Sequence, residues 1–168
     1  MATFGDELQV RSRSELPVPS VDMADASSLE EFLLFDVRLV VHRGRLGVIL
    51  GQGSIPSYDA ALIVASDVSS LDLGATTPKG SWYNWTLGGA TASTFGDKTT
   101  VTLHPLFRQQ GALRFTASDV ELRLGTSPAT RGAPADYIAD TEETIWSQNP
   151  GWGSEFVALA ATRLHTIN

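Results

Sequence analysis

Residues 32–50, FLLFDVRLVVHRGRLGVIL, alternate between apolar and other side chains in two runs that are separated by a short turn containing a glycine. Val37 and Leu39 belong to the apolar series of the first run, and Leu46 and Val48 to that of the second. Alternation with a period of two is typical of strands that bury one face. Because a two-stranded hairpin is only marginally stable alone, we expect this one to pack against further strands.

Further runs of strand length recur along the chain between turn residues, at roughly the 8–12-residue spacing of all-β domains. Residues 60–65, AALIVA, are apolar throughout, which predicts a strand buried on both faces. Residues 99–103 and 112–124 are also strand candidates, and residues 156–167 fit a final strand better than a helix. We predict an all-β fold, an antiparallel β-sandwich of jelly roll-like type, with a small irregular β-barrel as the alternative.

The apolar positions change phase within residues 112–124. Leu113 and Phe115 belong to one alternating series, whereas Val120 and Leu122 belong to the other. A β-bulge near the middle of the segment would return both series to one buried face. The alternative is a tight turn there that divides the segment into two short strands.

Residues 1–27 are predicted to form an extended N-terminal arm, followed by a single sandwich domain over residues 28–168. Pro17 and Pro19 disfavour a regular helix in the arm. A disordered tail rarely carries many apolar residues, but this arm carries Leu8, Val10, Leu16, Val18 and Val21. We expect these five residues to make the arm an assembly element, which packs along its own domain or on a neighbouring subunit.

The charge balance of the chain argues against direct nucleic-acid binding. Lys and Arg number 12 against 19 Asp and Glu, a net charge of −7, whereas duplex affinity comes largely from cations that neutralise phosphates. Two groups of arginines are interpreted as solvated surface charge, namely Arg11 with Arg13, and Arg38 with Arg43 and Arg45. The absence of cysteine excludes disulfides, thiolate catalysis and cysteine-ligated metals.

No motif for catalysis or metal binding is found in the sequence. The three histidines, His42, His104 and His165, are isolated from one another, and a metal-binding pair on a helix or strand needs short, regular spacing. Asp136 and Asp140 would share a helical face, but we interpret them as part of an acidic surface. We therefore predict no catalytic residues, no metal site and no cofactor.

The best candidate for a ligand surface is the aromatic segment that contains Trp82, Tyr83 and Trp85, with Trp146 and Trp152 as further members. Exposed aromatic rings stack on sugars, so a glycan is a candidate ligand. Tyr and Trp are also enriched in cores and subunit interfaces. A place in the core or an interface is the favoured interpretation.

The N-terminal residues lack the basic and apolar regions of a signal peptide, and no apolar run has the length of a membrane helix. We therefore expect cytoplasmic synthesis and no membrane partner, with a virion as a candidate destination. The favoured function is that of a non-enzymatic structural or assembly protein, such as an accessory component of a virus or phage particle (capsid decoration or tail). Its partners would be copies of itself or other subunits. The alternatives are a carbohydrate-binding β-sandwich module and a small β-barrel enzyme with a hydrophobic pocket.

Overall fold

The computed structural model describes residues 1–19, 26–51, 57–74, 86–106, 111–131 and 139–164. These residues contain two short α-helices, α1 (Phe4–Gln9) and α2 (Glu142–Gln148). The strands, in chain order, are β1 (Leu33–Val40), β2 (Arg45–Gly51), β3 (Ala60–Ser66), β4 (Ser70–Leu73), β5 (Leu87–Phe95), β6 (Lys98–Pro105), β7 (Leu113–Ala117), β8 (Asp119–Thr126) and β9 (Val157–Arg163).

The strands form two antiparallel sheets that pack face to face. One sheet has the order β1-β2-β3-β8-β9, and the other has the order β4-β7-β6-β5. Both sheets are open at their edges, and apolar side chains from both meet in one main core. The predicted β-sandwich is therefore confirmed, and the barrel alternative is wrong.

The first hairpin forms as predicted, but its first strand is less buried than expected. Val37 pairs with Val48 and Leu39 with Leu46, and the connecting turn ends at Gly44 in the left-handed conformation that glycine favours (φ 58°). Val48 is fully buried, whereas 41% of Leu39 is exposed. β1 is an edge strand with a neighbour on one side only, and its exposed residues lie near its end.

The three middle strands of the five-stranded sheet are buried on both faces. Every residue of β3 is buried, which confirms the interpretation of the apolar run at residues 60–65. Ile63 and Ala65 face the main core between the sheets. Leu62 and Val64 face the opposite way and belong to a second apolar cluster on the outside of this sheet. The outer face must therefore be covered by another part of the chain.

The phase change in residues 112–124 marks the point where the chain passes from one sheet to the other. β7 belongs to the four-stranded sheet and β8 to the five-stranded sheet. Phe115 of β7 and Leu122 of β8 consequently face the same core from opposite sides. Two strands are thus present, as in the second interpretation, and the bulge in a single strand is wrong.

One strand was not predicted from the sequence, because glycines at its start resemble a strand end. β5 begins at Leu87, continues through Gly88 and Gly89, and pairs with β6. A Cβ atom at Gly88 would lie only 2.6 Å from the backbone of Leu106. Glycine is needed here for the close approach of two chain segments rather than to end the strand.

Candidate functional site

The arm begins with a helix, so the predicted extended conformation is wrong for its first part. The Thr3 hydroxyl accepts a hydrogen bond from the Asp6 N–H at 3.1 Å, and the Asp6 carboxylate accepts one from the Thr3 N–H at 2.9 Å. This reciprocal pair is a capping box, which starts α1. The Thr3 hydroxyl also donates to the Asp6 carboxylate at 2.8 Å. The pKa of Asp6 is lowered, first by the bond from the Thr3 N–H and second by this bond from the hydroxyl. The prolines that disfavour a helix lie well beyond the end of α1.

α1 packs on the outer face of the five-stranded sheet through two apolar side chains. Phe4 and Leu8 are both fully buried, and the rings of Phe4 and Phe156 stack with their centroids 4.5 Å apart. The body residues that surround these two anchors are Ile49, Ala60, Leu62, Val64, Trp152 and Phe156. The arm therefore supplies the cover that the outer face of the sheet requires.

A glycine in β2 makes the space for this packing. A Cβ atom at Gly47 would lie 2.5 Å from the ring of Trp152 and 2.9 Å from the side chain of Leu8. Distances this short are not tolerated between well-packed atoms. Gly47 is therefore a residue on which arm docking depends, although it lies in the middle of a strand.

Backbone hydrogen bonds hold the arm against the segment that precedes β9. Thr3 pairs with Glu155 in an isolated antiparallel bridge. The Phe4 N–H donates to the Ser154 carbonyl at 3.1 Å, and the Phe156 N–H donates to the carbonyl of the residue before Thr3 at 3.0 Å. The arm thus adds a short extended pairing to the docked helix.

Four charged residues, which we call the charge cluster, connect the arm to β8: Glu7 and Arg13 from the arm, and Glu121 and Arg123 from β8. Arg123 is fully buried and donates to the Glu121 carboxylate at 2.7 Å and to the Glu7 carboxylate at 3.2 Å. It also donates to the backbone carbonyls of Glu7 at 2.5 Å and Val10 at 2.8 Å. The backbone N–H of Arg13 donates to Glu121 at 3.1 Å.

The charge cluster is balanced, with two cations and two anions. Arg13 donates to Glu7 at 3.0 Å, and the Glu7 carboxylate raises the pKa of the Arg13 guanidinium. Buried ion pairs contribute little net stability compared with apolar packing, but removal of one partner is strongly destabilising. The cluster therefore favours one register of the arm over others.

Two of the predicted surface arginines bind the end of α1 instead of being fully solvated. Arg45 donates to the backbone carbonyls of Leu8 and Gln9, and Arg43 donates to the side chain of Gln9. Cations are favourable at a helix C-terminus, where carbonyl groups lack partners within the helix. Burial, followed by repulsion from Arg43, lowers the pKa of Arg45. Arg11, also near this end, forms an exposed ion pair with Asp67 at 3.1 Å.

The five predicted assembly residues of the arm differ in their burial. Leu8 is an anchor in the outer cluster, Val10 and Leu16 are half-buried, and 75% of Val18 is exposed. Val21 lies outside the described residues. Through residue 19 the arm packs along its own domain, the first of the two expected arrangements, and its role in assembly stays a prediction.

The predicted glycan residues Trp82, Tyr83 and Trp85 all lie outside the described residues. The side chain of Trp146, on α2, also lies outside them. Trp152 is buried, and the Arg38 guanidinium lies 4.8 Å from the centroid of its ring. Trp152 is therefore a packing residue of the outer cluster rather than a ligand platform.

The remaining predicted polar residues do not form a site within the described part of the chain. His42 and His104 are exposed, and Asp140 is half-buried, whereas His165 and Asp136 are not described. The described residues contain no group of three or more His, Asp or Glu side chains arranged to hold a metal ion. Among the same residues, no helix has both the length and the apolar character needed to cross a membrane.

A cleft of about 280 Å³ lies between the arm and β9. Its polar wall contains Glu7, Arg13 and Glu155, and its apolar wall contains Leu16 and Val157. Glu7 and Arg13 already bind each other, so the polar wall belongs to the charge cluster. The cleft is therefore a gap at the border of the docked arm.

Neither the charge cluster nor the role of Gly47 was predicted from the sequence. A signal for the cluster was present, since Glu121 and Arg123 alternate with apolar residues in a long strand candidate. Two opposite charges on a strand in the middle of a sheet require buried partners if that face is covered. The sequence did not show that it was covered.

Comparison with known proteins identifies no family for this chain. No protein-family model matches the chain, and neither does any curated protein or solved structure. A fold alone does not define a function, and the docked arm with its surroundings is the feature of this chain that bears on one.

Proposed function

We propose that the protein is a non-enzymatic assembly component that associates with copies of itself or with other subunits, such as an accessory component of a virus or phage particle (capsid decoration or tail). The docked arm is the observation that carries this proposal. Its contacts combine a helix on an apolar surface with an extended pairing, two established modes of polypeptide recognition. A body that binds one polypeptide segment in this way is suited to build contacts between chains.

Exposed apolar side chains beside the arm support the same proposal. Val157 and Leu159 of β9 are 45% and 42% exposed, and Val18 of the arm is 75% exposed. β9 is the terminal strand of its sheet. Sheet edges and exposed apolar patches are both typical of association surfaces.

Sedimentation velocity over a range of protein concentrations tests this function. We expect oligomers whose fraction rises with concentration and falls in the Leu159→Lys variant, because a charge there opposes burial in an interface. Thr91→Lys is the matched control, since Thr91 is exposed on the other sheet. A protein that stays monomeric at every concentration would contradict self-association.

The carbohydrate-binding alternative depends on Trp82, Tyr83 and Trp85, which lie outside the described residues. It therefore stays a sequence-based prediction. Titration of the tryptophan fluorescence with simple sugars tests it directly. The enzyme alternative also stays a sequence-based hypothesis, although the sheets form an open sandwich and not the barrel that it named.

A further inference from the structure

We infer that the outer face of the five-stranded sheet is a socket for the N-terminal segment of a second copy of this chain, so that neighbouring copies exchange arms. The socket consists of Ile49, Leu62, Val64, Phe156, Glu121 and Arg123. The inference rests on the proposed function and names the contact by which the copies associate.

The main core between the two sheets is built without the described arm residues. The main core between the sheets begins with Ala26 and Leu29 in sequence, and no residue of the described segment 1–19 belongs to it. Phe4 and Leu8 belong only to the outer cluster. The arm is therefore a separate layer, whose contacts a body makes equally well with an arm from another chain.

An empty socket is unfavourable. Ile49, Leu62 and Val64 would become exposed on one continuous face, and Arg123 would lose its bonds to the carbonyls of Glu7 and Val10. Exposed apolar surface and unpaired polar groups each carry a free-energy cost. A body whose own arm has left will therefore bind another arm.

The chemistry of the socket selects this particular segment. Arg123 requires the carboxylate of Glu7 and two backbone carbonyl acceptors. Glu121 requires hydrogen-bond donors, which the Arg13 backbone N–H and the Ser12 hydroxyl (3.0 Å) supply. A general apolar helix offers neither set. The matching occupant is residues 3–13 of an identical chain.

Exchange preserves every one of these contacts. The exchanged segment ends at residue 13, and the body begins at Ala26. Only the path of the chain between the exchanged segment and the body has to change, which is the usual basis of domain swapping. An arm on a short flexible connection is present at its own body at an effective concentration in the millimolar range. An arm from another copy competes only at a similar local concentration, so exchange is favoured where copies are crowded, as they are within an assembly.

Disulfide trapping tests this inference, because the chain contains no cysteine. Thr3 and Glu155 form a bridge whose hydrogen bonds are made by the flanking residues. In such a pair the Cα atoms are about 4.5 Å apart, within the range of a disulfide. The Thr3→Cys and Glu155→Cys variants, one of them labelled with nitrogen-15, are unfolded together and refolded at increasing concentration in a redox buffer. Intact mass spectrometry then distinguishes the mixed disulfide from the two homodimers.

We expect the mixed disulfide to exceed both homodimers, with a yield that rises with concentration. The Thr91→Cys variant replaces Thr3→Cys as the negative control, and the chain that carries both Thr3→Cys and Glu155→Cys shows that the bond closes. If that chain closes its bond while the mixture gives no excess at any concentration, arm exchange is wrong. If the protein then still forms oligomers in sedimentation, the proposed function stands with a different contact; if it stays monomeric, self-association is wrong as well.

Discussion

Replacement of Arg123 by Met is the strongest test of the charge cluster. The guanidinium is fully buried and donates to two carboxylates and two carbonyls. Met retains most of the side-chain volume but removes every donor. Glu7 keeps Arg13 as its partner, whereas Glu121 keeps only hydrogen bonds from the arm.

The expected loss follows from the uncompensated charge. Removal of one partner from a buried ion pair typically destabilises a protein by about 3–5 kcal/mol, and the remaining Arg13 places this case near about 3 kcal/mol. With a urea dependence of about 1–3 kcal/mol/M, the unfolding midpoint should fall by about 1–3 M. Far-UV circular dichroism at neutral pH measures it.

A charge-balanced double variant separates the charge from the hydrogen bonds. Arg123→Met combined with Glu121→Leu removes one cation and one anion and leaves Glu7 paired with Arg13. Apolar replacement of a whole buried ion pair is often neutral or stabilising, so the double variant should regain most of the lost stability. A single variant that loses less than about 1 kcal/mol, or a double variant no more stable than the single, would refute the reasoning.

Three further predictions concern other parts of the fold. Gly47→Ala should displace the arm through a clash with Trp152 and lower the free energy of unfolding by about 1–3 kcal/mol. Limited proteolysis should then cleave the arm faster than in the unchanged protein, and equal cleavage rates would contradict this prediction. Asp6→Asn should lower the urea midpoint at neutral pH but not in acid. The pKa of Asp6 is lowered in the folded state, so the stability that its carboxylate contributes is lost as pH falls through that pKa. A difference between the two proteins that persists in strong acid would be inconsistent with this. Val48→Asp should yield insoluble protein because it buries an unpaired charge, whereas Leu39→Asp at the exposed edge should remain soluble; solubility assays of both variants check this, and equal behaviour would argue against the burial difference.

The sandwich was predictable because its strands obey simple periodicity. The hairpin with Val48 could be identified from the alternation of its residues, and β3 from the uninterrupted apolar run at residues 60–65. The passage from β7 to β8 was also visible in the sequence, because the apolar series that contains Phe115 and the one that contains Leu122 are out of phase. Local patterns cannot say which sheet a strand joins, so the sheet change was not predictable.

The candidate site was less predictable because it depends on residues far apart in sequence. Glu7 and Arg123 are separated by most of the chain, and neither belongs to a short motif. The helix that presents Glu7 is a single short element, marginal in isolation, which depends on its cap and on the sheet beneath it. The prolines at 17 and 19 lie in a stretch without helix or strand, but their influence does not reach α1.

The order in which this chain leaves the ribosome has a consequence for the bridge between Thr3 and Glu155. The arm is synthesised before β8 and before the segment that ends at Phe156, so it cannot dock fully until Phe156 has emerged. Closure of such a long loop is late and slow compared with hairpin formation. On a polysome, the undocked arms of shorter nascent chains therefore lie near bodies that neighbouring ribosomes have already completed. Whether a body receives its own arm or that of a neighbour would then be decided during synthesis, when the local density of chains is greatest.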